Sequence, residues 1–250
     1  MRYLKILYSA GKSMKLDESG DLKLLAMVSL GRKYQIPHVE EPALQTLKSR
    51  YPVTLEDWET TYPTRPETFK NAKERSTSCI RSIQCYRTAQ TLDLKFMLPI
   101  HSRLIFFLTP QELIFGFESV SGDREEFTQS EQVALLEFKE KLCRTNSALI
   151  TNLYDSLQKR KDNCFITTCD SGTAWLQTVL KTFNNFLGSP LRIWQFICHD
   201  IATDNQIACE SCHEQVRNSC QVIRLDLWQE MGKYWEVPGW GTTTEGGKAS

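Results

Sequence analysis

Residues 128–157 read TQSEQVALLEFKEKLCRTNSALITNLYDSL, the strongest periodic stretch in the chain. Thr128 and Glu131 have the spacing of a capping box. In that motif the hydroxyl accepts the backbone N–H of the acid, and the carboxylate accepts the backbone N–H of the hydroxyl residue. Leu135, Phe138, Leu142, Leu149, Leu153 and Leu157 follow at intervals of three, four or seven residues. One face of an α-helix needs that recurrence. The pattern predicts a helix over about 129–160, roughly 45 Å long at about 1.5 Å per residue, with Asn146 and Ser147 as a point of interruption.

The helical pattern extends in both directions. In DLKLLAMVSLGRKYQIPHVEEPALQTLKSR (21–50), Leu22, Leu25, Ala26 and Leu30 share one face, and Leu24, Met27 and Val28 make another apolar. A helix apolar nearly all round is a buried one. Pro37 restricts Ile36 and opens a second helix over about 38–50. Thr54 then N-caps a short acidic turn that ends at Trp58. Residues 61–90 are polar at their start, carry prolines and lack periodicity, so they are expected to be a linker. Two short helices broken at Pro99 and Pro110 should follow, and further helices fit 171–186, 190–202 and 210–231. No segment shows convincing strand alternation. The expected fold is mainly α, a multi-helix bundle. It divides into a helical unit at 1–60, a linker at 61–90, a helical domain at 91–240 and a flexible tail at 241–250.

Composition limits what such a bundle does. Thirty basic residues balance thirty acidic ones in 250 residues, so no global charge points to nucleic acid or an anionic membrane. The longest apolar runs, such as Leu104 to Leu108, fall far short of the roughly 20 residues of a membrane-spanning helix. Lys5 interrupts the start, which lacks a secretory apolar region. Nine cysteines without such a signal read as thiols or metal ligands, not as a disulfide framework. The expected location is intracellular.

Two further stretches carry a family resemblance. One is Lys33-Tyr34-Gln35-Ile36-Pro37-His38, followed by Ala43-Leu44, Leu47, Tyr51-Pro52, Thr54-Leu55 and Trp58. The other has Cys164 and Cys169, Cys209 and Cys212, Leu227-Trp228, and Tyr234-Trp235-Glu236-Val237-Pro238-Gly239-Trp240. Together they resemble the carboxyl-terminal helices of a BTB/POZ domain and the cysteine-containing tail of a large fungal family that carries it. The resemblance implies a non-enzymatic protein–protein interaction protein related to BTB/POZ adaptors, with protein partners and neither nucleic acid nor membrane. MRYLKILYSAG looks like a helix late in that domain. The part that builds the family's dimer interface has no counterpart here, so BTB-type homodimerisation is not implied.

The string CESCHEQVRNSC (209–220) raises the question of cofactors. Its C-x-x-C-H spacing is that of a c-type haem site, which also needs export. Cys164/Cys169 and Cys209/Cys212 form two chelating pairs that could hold a structural zinc in a tetrahedron of thiolates. His213, His199, Cys198 or Cys220 could replace a ligand. Buried, ligand-free thiols are the competing reading. A zinc- or thiol-dependent enzyme using the same pairs is the alternative function. Gly11-Lys12-Ser13 lacks the upstream glycine of a P-loop, and no hydrolase, metalloprotease or dinucleotide motif is present. His101 is expected in a loop. Tyr34, Ile36, Pro37, Leu44, Leu47 and Trp58 are expected to be structural, as are Trp228 and Trp240.

Overall fold

The computed structural model describes residues 19–61, 71–161 and 210–241, with side chains omitted for 156–161, 210–213, 215 and 216. The fold is mainly α. Its helices are α1 (Asp21–Tyr34), α2 (Pro37–Arg50), α3 (Leu55–Thr61), α4 (Ala72–Thr91), α5 (Leu98–Ser102), α6 (Pro110–Phe115), α7 (Gln129–Lys161) and α8 (Glu210–Tyr234). Short 3₁₀ turns at Lys95–Met97 and Arg103–Phe106 flank α5. A two-strand hairpin, β1 (Phe117–Glu118) against β2 (Arg124–Glu125), joins α6 to α7. The helices expected at 171–186 and 190–202 lie outside the described residues.

The opening stretch folds as its pattern requires. Glu131 N–H donates to Thr128 Oγ1 at 3.3 Å, and Thr128 N–H donates to Glu131 Oε2 at 2.7 Å. Leu135, Phe138, Leu142 and Leu153 are buried along one face of α7. The helix runs through Asn146 and Ser147 without a break. Helix α1 buries Leu24, Leu25, Met27 and Val28, but Leu22 is exposed. It therefore has one buried face and is not enclosed all round.

Where α1 meets α2 the backbones approach closely. A Cβ on Gly31 would lie 2.6 Å from Glu40 Cβ, so no larger residue fits without separating the helices. The turn between them places Gln35 at φ 56°, a left-handed conformation that costs an ordinary residue about 1 kcal/mol. Ile36 N–H donates to Gly31 O at 2.8 Å, and Gln35 N–H to Arg32 O at 3.3 Å, which closes the helix end. Gln35→Gly is expected to stabilise the protein by about 0.5–1 kcal/mol, measured as a higher urea midpoint. An unchanged or lower midpoint would show that Gln35 is not strained.

The linker expectation for 61–90 fails from residue 72 onward. Helix α4 fills 20 residues, capped by Asn71, whose side chain accepts Glu74 N–H at 2.9 Å. Its buried face is Ser76, Cys79, Ile83, Cys85, Tyr86 and Ala89. Small and semi-polar side chains build that face, so hydrophobicity alone hides it. Among the described residues, one buried cluster extends from Leu24 to Trp240, across the expected boundary between a 1–60 unit and a 91–240 domain. Pro99 also does not break the chain. It lies in the first turn of α5, where its missing N–H has no helical partner to lose.

Three tryptophans tie the two ends of this core together. Trp228 of α8 stacks on Trp240 with ring centroids 4.5 Å apart, and lies 5.7 Å from Trp58 of α3. Trp228 Nε1 donates to Val53 O at 2.9 Å, Gly241 N–H donates to the same oxygen at 2.9 Å, and Trp240 Nε1 donates to Trp228 O at 2.7 Å. Arg224 of α8 also pairs with Glu59 of α3.

Candidate functional site

Of the residues expected to bind metal, Cys164, Cys169 and Cys209 lie outside the described residues. Cys212 falls in α8 with its side chain undescribed, as does His213. Among the described residues no group of three or more His, Cys, Asp or Glu is placed to hold a metal ion. Cys79 and Cys85 are buried in α4, and burial pushes their thiols up to about 11 and about 12. A thiolate is the reactive form of cysteine, so both act as small core residues.

His101 is not in a loop. It is buried in α5, with Nε2 2.9 Å from Tyr51 Oη. Tyr51 Oη also lies 2.9 Å from Asp21 Oδ2, while Arg50 Nη1 donates to Asp21 Oδ1 at 2.8 Å. A carboxylate only accepts, so the single hydroxyl proton of Tyr51 goes to Asp21. Nε2 of His101 must then carry its own proton and donate to the tyrosine oxygen. Burial lowers the imidazole to about 4 against the opposing field of Asp21, so the ring is neutral near neutrality. The network ties α1, the end of α2 and α5 together. Tyr51 also borders an open cleft of about 930 Å³, with Val53, Phe96 and Pro238 as apolar lining.

Arg75 and Arg87 fix the α6–hairpin–α7 segment onto α4. Arg75 reaches Glu112 with both Nη atoms, at 2.9 and 2.7 Å, and Arg87 Nε donates to Glu131 at 2.8 Å. Each of these glutamates also closes a capping box, with Thr109 and Thr128 respectively. Burial alone would raise Glu112 and Glu131. Hydrogen bonds from the arginines and from the capping threonines outweigh it and hold both below the usual carboxylate range.

That rigid frame presents large apolar side chains to solvent. Ile114 is 57 % exposed, Phe115 68 %, Val133 47 % and Leu136 50 %. Gln132 brings the two helices into register: its Nε2 donates to Leu113 O and Ile114 O at 3.2 and 3.3 Å. Leu136 lies one turn beyond Gln132 on α7, and Val133 and Leu136 are neighbours on that helix at a three-residue spacing, while Ile114 and Phe115 close α6 where Gln132 reaches its backbone. Arg124 Nη2 donates to Phe115 O at 2.8 Å at the edge of this patch. The expectation from sequence missed it. Val133 and Leu136 are apolar residues off the buried stripe of α7, and that mismatch is the signal that would have revealed them.

The residues expected to be structural divide. Leu47, Trp228 and Trp240 are buried, and Ile36, Leu44 and Trp58 are half-buried against the core. Tyr34 is 56 % exposed, with Lys33 Nζ 5.5 Å from its ring centre, and Pro37 is exposed at the start of α2. These two serve the surface and a helix start, not the core.

Fold and surface together define a mainly α-helical protein, and no helix among the described residues is long and apolar enough to cross a membrane. No protein-family model, curated protein or solved structure matches the chain.

Proposed function

We propose that the chain is a non-enzymatic protein–protein interaction protein, as its resemblance to BTB/POZ adaptors implies, and that it docks a protein partner on Ile114, Phe115, Val133 and Leu136. One observation carries this reading. Four large apolar side chains, each about half exposed or more, lie on two helices that Gln132 joins and that Arg75–Glu112 and Arg87–Glu131 hold in place. Exposed apolar surface marks interaction sites, and a frame already in place lowers the ordering cost of binding.

The buried chemistry supports the same reading. His101 is neutral and engaged with Tyr51, the thiols of Cys79 and Cys85 are held protonated, and Glu112 and Glu131 complete helix caps. These groups spend their chemistry on the fold.

The test is a partner recovered by co-purification, then purified and titrated against the full chain. Phe115→Ser combined with Leu136→Ser is expected to weaken binding at least about tenfold. Both positions are exposed, so the unfolding midpoint should barely move. Undiminished affinity in a folded double variant would overturn the reading.

A further inference from the structure

We draw no further inference here: the strongest candidate, the open cleft of about 930 Å³ at the ends of α2, α4 and α8 with Asp57, Asp93 and Glu236 on its lining, also carries Lys48 and Lys95, and nothing in the structure shows what fills it.

Discussion

Trp228→Ala is expected to remove about 3–5 kcal/mol of unfolding free energy, the range for deleting a fully buried tryptophan. Trp228 is 0 % exposed and is among the largest enclosed side chains described. It is the middle member of the row Trp58, Trp228, Trp240, so its loss leaves both outer rings facing a void. The lost hydrogen bond adds little, because Val53 O keeps the N–H of Gly241 at 2.9 Å. Cavity formation thus dominates the cost. The loss is a large share of the about 5–15 kcal/mol that stabilises a typical domain.

Urea unfolding followed by circular dichroism would report it as a lower midpoint with an unchanged slope. Gly232→Ala offers a second approach to the same contact. A Cβ there would lie 2.1 Å from the Trp240 ring, so the ring must leave, at about 1–3 kcal/mol. A loss below about 1 kcal/mol in Trp228→Ala would mean that the tryptophan row does not hold the ends of the chain together.

The same row shows what sequence could and could not reveal. Helices α1, α2, α7 and α8 were legible because large apolar residues, such as Leu24, Val39, Leu47, Phe138, Ile223, Leu227 and Met231, dominate their buried faces at helical spacing. Helix α4 was not, because serine, cysteine and alanine make much of its buried face and Asn71 is its start signal. The union of 1–60 with 91–240 was equally hidden. It depends on contacts such as Val53 with Trp228, which no local pattern encodes. Of the candidate site, Val133 and Leu136 stand in the sequence off the buried stripe of α7, whereas their placement relative to Ile114 and Phe115 depends on Gln132 bridging two helices. Charge could be counted along the chain, but its placement around Phe115 needed the hairpin.

The second large effect is a loss of stability in mild acid through His101. Its ordinary value of 6.5 falls to about 4 in the fold because burial disfavours the charged ring. Below 6.5 the unfolded chain takes up a proton that the native state refuses. The native state therefore loses about 1.4 kcal/mol per pH unit as pH falls from 6.5 toward 4, about 3 kcal/mol in all. The stability is fully present above 6.5.

Glu112, Glu131 and Glu230 are held below the carboxylate range, so their contribution is lost at lower pH, as acid titrates through that range. The groups facing His101 are Tyr51, Asp21 and, through Asp21, Arg50. His101→Gln keeps an amide donor for Tyr51 and does not titrate. Unfolding free energies of the two proteins between pH 4.5 and 7 should converge as pH falls, with the wild type losing about one proton's worth of slope more than the variant. Parallel curves would contradict the neutral, buried assignment of His101.

The helical frame is proposed to dock a protein partner on the exposed Ile114, Phe115, Val133 and Leu136. Hydrogen–deuterium exchange of the full chain, with and without the purified partner, tests this docking most directly. Protection should appear in residues 113–118 and 130–141, and should vanish in Phe115→Ser/Leu136→Ser. Protection confined to the cleft around Tyr51 and Phe96, or none anywhere, would contradict it.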